Sequence, residues 1–149
     1  MGRVFVIGSE AEMLSIGKRI GERLEGGAFV ALYGSLGAGK SVFARGAAQA
    51  LGVTRLTSPT FTIVQEYPTT PALYHFDAYR LADEDELYAI GFSDYRNANG
   101  ILLMEWANLV PGALPKERLD VRIEGAGDAP RTVTILPHGS VYEKLVESL

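Results

Sequence analysis

The sequence predicts an α/β fold of three layers, in which helices pack on both faces of a mixed central sheet. An apolar strand pattern at Phe29–Tyr33 runs through a glycine-rich turn into a helical segment over 41–51. Later strand-like segments also follow one another with only a turn between them. Because short connections join antiparallel strands, the sheet should be mixed rather than purely parallel.

The first elements have clear local signals. Arg3–Ile7 is a short apolar run typical of a strand. The helix predicted over 10–25 begins after Ser9, which forms a capping box with Glu12 three residues later, and it ends at a pair of glycines. Its apolar residues recur at helical spacing: Met13, Ile16, Ile20 and Leu24.

The remaining elements follow from the same strand, helix and turn signals. Acidic residues favour a helix start near 83, and a Gly-Ala-Gly-Asp turn separates the last two strands. In chain order, the predicted segments are strands over 63–67, Leu73–Asp77 and Ile101–Glu105, a helix over 83–90, strands over 119–123 and 132–136, and a helix over 141–148.

Composition limits the function classes. A chain of 149 residues is expected to form one domain, 1–149, with a sizeable core. The absence of cysteine excludes disulfides, thiolate metal sites and a cysteine nucleophile. A net charge of −4 argues against direct gripping of nucleic acid. With no leader-like start and no membrane-length apolar run, we expect a cytoplasmic protein without a membrane partner.

Residues 34–41 read Gly-Ser-Leu-Gly-Ala-Gly-Lys-Ser, a complete G-x-x-x-x-G-K-[ST] phosphate-binding loop between a strand and a helix. The glycines let backbone N–H groups point at phosphate oxygens, and the helix N-terminus adds its dipole. The motif therefore predicts a P-loop NTPase-like fold that binds a nucleoside triphosphate. The residues expected to hold it are Gly37, Ala38, Gly39, Lys40, Ser41 and Val42.

Two carboxylates are candidates for completing a Mg²⁺ site with the Ser41 hydroxyl. Glu105 ends an apolar strand, and Asp77 ends a similar strand that His75 interrupts. Either carboxylate could instead be a solvated acid where a strand emerges. Since a metal-linked carboxylate can also orient the attacking water, the metal and catalytic roles are not separated here.

Three further features have alternative interpretations. The hydroxyl-rich segment 57–62 is either a turn or a switch that senses the γ-phosphate. His75 fits a hydrogen-bonded structural residue better than a general base. Trp106 is either a core residue or a neighbour of the site, because it follows Glu105 directly.

The phosphate loop, the Ser-Pro-Thr-Phe-Thr segment at 58–62, the His-Phe-Asp-Ala-Tyr-Arg-Leu segment at 75–81 and Glu105-Trp106 together resemble the TsaE (YjeE) family. The resemblance extends over residues 3 to about 136. It implies a Mg-dependent ATPase with Lys40, Asp77 and Glu105 as catalytic residues, and Ser41 and Glu105 as metal ligands. It also places Thr60 in the switch, and Glu10 and Arg131 near the nucleotide.

The resemblance further implies the ATP-hydrolysing component of the bacterial machinery that forms N6-threonylcarbamoyladenosine at position 37 of tRNAs reading ANN codons. Its partner would be a TsaB–TsaD-type complex, with tRNA contacted only through that complex, and its cofactors ATP and Mg²⁺. Two positions depart from the family pattern, Ser35 in place of Asp and Met13 in place of a frequent Thr. The competing classes are a small-molecule P-loop kinase and a nucleotide-dependent binding module, although no arginine-rich lid segment is evident.

Overall fold

A computed structural model describes residues 2–35, 37–57 and 63–149. Its seven strands form one sheet in the order β1-β7-β6-β2-β5-β4-β3. Their bounds are β1 Arg3–Ile7, β2 Phe29–Tyr33, β3 Val64–Tyr67, β4 Leu73–Asp77, β5 Ile101–Glu105, β6 Arg118–Glu124 and β7 Arg131–His138.

The sheet is mixed, as predicted. The central strand β2 pairs in parallel with β5 and β6, and β5 pairs in parallel with β4. The three pairs β1–β7, β6–β7 and β3–β4 are antiparallel. Parallel strands joined through helices bring their carboxyl ends to one edge of the sheet, which is where ligands bind in such folds.

Five helices are present in the described residues: α1 Glu10–Gly21, α2 Lys40–Ala50, α3 Glu84–Ala89, α4 Phe92–Asn97 and α5 Ser140–Glu147. Two single 3₁₀ turns, Ala107–Leu109 and Pro111–Ala113, follow β5. In the part of the chain that the structure describes, no helix combines the length and apolar character needed to cross a membrane.

The structure corrects the predicted helices at two places. Helix α1 ends at Gly21 rather than at 25, because the backbone tightens into three-residue turns in which Arg23 N–H donates to the Ile20 carbonyl. Leu24 remains buried beyond the helix end. Helix α4 was not predicted, since six residues are too few to show helical periodicity.

The core lies on both faces of the sheet, which confirms the three-layer prediction. Alternate residues of β2 point to opposite sides. Val30 and Leu32 belong to the cluster beneath α1, α2 and α5, whereas Phe29 and Ala31 belong to the cluster beneath α3, α4 and the 3₁₀ turns.

Helices α1 and α2 are in close contact through glycines. A Cβ atom on Gly46 would lie 2.2 Å from the carbonyl oxygen of Leu14, and one on Gly17 would lie 2.2 Å from that of Phe43. Such distances leave no room for a side chain at either position. Because Gly17 and Gly46 have no side chains, the two helices can pack this closely. Helix α1 therefore fixes the position of α2, whose first turn completes the phosphate loop.

Candidate nucleotide-binding site

The phosphate loop occupies the turn between the carboxyl end of β2 and the start of α2. Gly37 and Gly39 have φ angles of 79° and 118°, which favour glycine over any residue with a Cβ. Gly39 is the N-cap of α2 and has no side chain to occupy the N–H groups of the first helical turn. These N–H groups, together with the helix dipole, make the turn suitable for phosphate.

Lys40 is buried beside this turn, with only 5% of its surface exposed. Its ammonium group donates to the backbone carbonyls of Gly34 and Ser35 and lies 4.1 Å from the centroid of the Trp106 indole. Burial lowers the pKa of Lys40, while the carboxylates of Glu105 and Asp77 oppose that shift. Lys40 is therefore a desolvated cation at the loop.

Trp106 covers this lysine from the strand-end side. Its backbone adopts the left-handed region at φ 60°, which is uncommon for a bulky residue. The indole also contacts the ring of Tyr79, with centroids 4.9 Å apart. Of the two interpretations that the sequence allowed for Trp106, the structure supports proximity to the site.

Glu105 presents its two carboxylate oxygens to different partners. Oε1 lies 3.5 Å from the Ser41 hydroxyl oxygen at the start of α2. Oε2 lies 2.6 Å from Nε2 of His75 on the neighbouring strand β4. The Glu105 side chain is only 5% exposed, so it is not the solvated strand-end acid that the sequence left open.

Asp77 is the register partner of Glu105 across β4 and β5. Its Oδ1 accepts a hydrogen bond of 3.0 Å from the backbone N–H of Tyr79. Burial raises the pKa of the Asp77 carboxyl above its usual value; Glu105 contributes to the rise, while the Tyr79 hydrogen bond and the charge of Lys40 oppose it. Asp77 is thus a carboxylate with increased proton affinity beside the loop.

The oxygen atoms of Ser41 and Glu105 fit the requirements of Mg²⁺. This ion prefers oxygen ligands and usually takes one or two from protein, with phosphates and water completing its shell. Among the described residues, no group of three or more histidine, cysteine, aspartate or glutamate side chains could hold a metal by itself. The donor set therefore suits a magnesium ion that arrives with a nucleotide.

Two cavities of about 370 Å³ flank the loop. The first, which we call the phosphate cavity, is lined by Gly37, Gly39, Lys40, Ser41, Val42, Asp77, Tyr79, Glu105 and Trp106. The second, the α1-side cavity, shares three of these residues and adds others, among them Ser9, Glu10, Met13, Asp128 and Arg131. Those predicted site residues that the structure describes thus divide between the two sides of the loop.

Arg131 and Glu10 lie on the α1 side, away from the two carboxylates. The guanidinium of Arg131 donates to the carbonyls of Gly37 and Ala38, and also to those of Gly127 and Ala129. It therefore connects the β6–β7 turn to the phosphate loop. Glu10 forms an exposed ion pair of 2.9 Å with Arg45.

The two departures from the family pattern have different consequences. Ser35 contributes its backbone carbonyl to Lys40, a contact that does not depend on the side chain. Met13 lines the α1-side cavity and packs against the loop, where a Cβ on Gly39 would lie 3.0 Å from the Met13 methyl group. Thr60 and the predicted switch segment 58–62 lie outside the described residues.

Two further residues lie at the site. His75 is hydrogen-bonded, as the sequence favoured, and its partner is the candidate ligand Glu105. Tyr79 lines the phosphate cavity and was not singled out. The available signal was the alternation of β4, which places His75 and Asp77 on the same face of the sheet.

A larger cavity of about 670 Å³ lies at the opposite edge of the sheet. It is lined by the residues that precede β2 and by α5, including Gly27, Tyr142 and Lys144. Its lining includes the basic residues Arg23 and Lys144 and the acidic residues Glu25 and Glu117, so it has no single charge. Its size alone does not make it a better candidate than the loop for phosphate.

Comparison with known proteins gives a consistent result. Residues 7–133 match the family model described as threonylcarbamoyl adenosine biosynthesis protein TsaE. A tRNA threonylcarbamoyladenosine biosynthesis protein TsaE from Bacillus subtilis is 46% identical over 125 residues, covering 83% of this chain and 78% of the relative. Its counterpart from Haemophilus influenzae is 37% identical over 149 residues, covering 95% and 94%.

Solved structures give the same relationship at the level of the fold. The crystal structure of Bacillus subtilis YdiB superposes with a TM-score of 0.85 and 36% sequence identity. The match covers 99% of this chain and 93% of YdiB. Agreement over nearly the full length of both chains confirms the predicted α/β architecture.

Proposed function

The chain belongs to the TsaE family, and we propose that it is the ATP-hydrolysing component of the machinery that forms N6-threonylcarbamoyladenosine at position 37 of tRNAs reading ANN codons. The relatives' names support the pathway. The observation that supports ATP hydrolysis is the placement of Ser41 and Glu105 oxygens 3.5 Å apart at the start of α2, beside Lys40. This arrangement suits a Mg²⁺-nucleotide.

In this proposal, the loop binds the triphosphate. N–H groups at the start of α2 donate to phosphate oxygens, and Lys40 exchanges its two carbonyl acceptors for the β- and γ-phosphates. Ser41 and Glu105 would hold Mg²⁺, which when bound neutralises charge on the phosphate oxygens. The indole of Trp106 lies over Lys40, with its ring centroid 4.1 Å from the ammonium nitrogen.

Asp77 is our choice for the residue that orients and deprotonates water. It lines the phosphate cavity, and its raised pKa makes it a better proton acceptor than an ordinary aspartate. The water oxygen forms a bond to the γ-phosphorus, the bond to the β–γ bridging oxygen breaks, and a water proton passes to Asp77. The products are ADP and inorganic phosphate.

The α1-side cavity is the place we propose for the nucleoside. It adjoins the loop, and Met13 gives it an apolar wall against which a base could stack. Arg131 supports this assignment indirectly, because its donors hold the β6–β7 turn against the loop. Glu10 stands at the rim of the cavity as an exposed acceptor.

A small-molecule kinase is the weaker alternative. Such kinases use several arginines to enclose the transferred phosphate. Of the described residues that line the two cavities, Arg131 is the one arginine, and backbone carbonyls already occupy it. Because the one arginine at these described cavities is already bonded to backbone carbonyls, the site fits an ATPase that acts on a partner complex better than a kinase.

The partner we propose is a TsaB–TsaD-type complex in the cytoplasm, which would contact tRNA on behalf of this chain. The net charge of −4 supports indirect rather than direct contact with tRNA. Coupling requires that the chain bind the complex differently in its ATP and ADP states. Thr60 is the residue we expect to sense that difference.

The proposal is tested by measuring binding of the purified TsaB–TsaD pair to the chain in its ATP, ADP and nucleotide-free states. Wild type should bind with an affinity that changes with the nucleotide, and Thr60→Ala should reduce that change. Thr54→Ala, which changes an exposed threonine after α2, is the control. The assignment fails if no complex forms in any state, or if ATP phosphorylates a metabolite from a test panel instead.

A further inference from the structure

His75 and Glu105 are brought together by the pairing of two central strands. β4 and β5 are parallel neighbours, and the register places His75 opposite Leu103, two residues before Glu105. Since side chains alternate along a strand, all three lie on the same face of the sheet. The His75 and Glu105 side chains are only 1% and 5% exposed.

The contact between them leaves the carboxylate with one oxygen committed and one available. His75 Nε2 lies 2.6 Å from Oε2 of Glu105, a short distance for a hydrogen bond to a carboxylate. The other oxygen, Oε1, faces the Ser41 hydroxyl at 3.5 Å. Because this bond restrains rotation of the carboxylate, it favours the orientation in which Oε1 faces the phosphate cavity.

A purely structural histidine would be expected to use both ring nitrogens. Buried polar side-chain atoms are nearly always hydrogen-bonded. Nδ1 of His75 is fully buried and has no hydrogen-bond partner among the residues the structure describes. The imidazole thus leaves one nitrogen unsatisfied while making a single strong bond to Glu105, which an apolar residue of similar size could not make.

We propose that His75 is a positioning residue for the magnesium site: its Nε2–H donates to Glu105 Oε2 and keeps Oε1 directed at the metal position beside Ser41. This inference rests on the proposed function, because it assumes that Glu105 is a metal ligand. Hydrogen bonds to the far oxygen of a ligating carboxylate orient the ligand, and losing them typically weakens metal binding.

The chain contains a matched control for this contact. Its other histidine, His138, lies 2.8 Å from the buried carboxylate of Asp120. That carboxylate also accepts hydrogen bonds from Arg118 and Tyr33, and it lines neither cavity at the loop. His138→Leu therefore removes an imidazole–carboxylate contact without touching the proposed metal site.

The test measures Mn²⁺ affinity by electron paramagnetic resonance in the presence of ADP. Calorimetry of ADP binding in EDTA reports on nucleotide binding without metal. His75→Leu removes the donor, and His75→Asn keeps an amide that ends short of Oε2. His75→Gln carries its N–H donor at nearly the position of Nε2.

We expect His75→Leu and His75→Asn to bind Mn²⁺ about 10–100-fold more weakly than wild type. His75→Gln should restore most of the affinity, and His138→Leu should bind Mn²⁺ as wild type does. ADP affinity in EDTA should be unchanged in all four variants. Where His75→Leu does not fold, the two amide variants decide the matter.

Equal Mn²⁺ affinity in the glutamine and asparagine variants would overturn the positioning role, as would a loss in His75→Leu matched by His138→Leu. A different result identifies a failure of the proposed function itself. In that case the wild-type protein would bind neither ADP in EDTA nor Mn²⁺ with ADP, before any variant is compared.

Discussion

Asp77 and Glu105 stand side by side as register partners at the ends of the parallel strands β4 and β5. Their surroundings differ: Glu105 is engaged by His75 and Ser41, whereas the backbone N–H of Tyr79 donates to Asp77. Neighbouring carboxylates in different environments can take different chemical roles. We assign Glu105 to the metal and Asp77 to the attacking water.

Lys40→Ala should weaken ATP binding and abolish turnover. The lysine supplies a charge-assisted contact to phosphate, and its loss should cost about 1.5–3 kcal/mol of binding free energy. Calorimetry with ATP and an assay of phosphate release measure the two effects. Lys18→Ala, an exposed lysine on α1, should change neither. If Lys40→Ala bound and hydrolysed ATP as wild type does, the loop would not be the nucleotide-binding site.

Substituting each carboxylate by its amide should distinguish the roles of Glu105 and Asp77. Glu105→Gln should lose the metal-dependent part of nucleotide affinity together with hydrolysis. Asp77→Asn should retain Mg-ATP binding and lower kcat by about 10²–10⁴, the usual contribution of a general base. Steady-state kinetics and calorimetry with and without Mg²⁺ distinguish these patterns. If Glu105→Gln hydrolyses ATP normally in the presence of the partner pair and Asp77→Asn does not bind metal, the roles are reversed.

Asp77 should destabilise the folded protein at neutral pH. Since burial raises its pKa in the folded state, there is a pH window in which the folded protein holds a proton that the unfolded chain has released. The contribution of Asp77 to the free energy of unfolding is therefore fully present below the ordinary carboxyl pKa of the unfolded chain. It is lost as the pH rises through the raised pKa of the folded protein.

Asp77→Asn should accordingly unfold at a higher temperature than wild type at pH 7, and the gap should narrow as the pH is lowered toward about 4. Thermal unfolding at several pH values measures the gap. Asp85→Asn, which changes an exposed carboxylate in the first turn of α3, should not raise the midpoint. A difference in unfolding temperature that does not vary with pH would contradict the raised pKa of Asp77.

Gly46→Ala should destabilise the protein although alanine favours helices. The gain in helix propensity is about 1 kcal/mol. The new methyl group would meet the Leu14 carbonyl, and overpacking of this kind costs about 1–3 kcal/mol or more. Denaturant unfolding should show a net loss, with weaker ATP binding because α2 carries the loop. Ser15→Ala on the exposed side of α1 should be neutral or slightly stabilising. A net gain would show that the two helices can separate at little cost.

The phosphate loop was predictable because its signals are local. The strand at Phe29–Tyr33, the glycines and the start of α2 are adjacent in sequence, and glycine at the loop positions reflects their positive φ angles. The alternation of apolar and turn segments also gave the mixed sheet. Helix α4 escaped prediction because it is shorter than two helical turns.

The alternation of β4 puts His75 on the same face as Asp77, but the contact of His75 with Glu105 was not predictable from periodicity alone. It depends on β4 and β5 being adjacent, and local patterns do not state which strands are neighbours in a sheet. The division of the site residues between two cavities has the same origin. Arg131 reaches the loop from β7, which is separated from β2 by β6.

The most direct test follows the γ-phosphate of labelled ATP incubated with this chain, Mg²⁺ and the purified TsaB–TsaD pair. We expect the label to appear in inorganic phosphate, the pair to accelerate its release, and Glu105→Gln to prevent it. Release that is indifferent to both the pair and Glu105, or transfer of the label to another molecule, would contradict the proposed function.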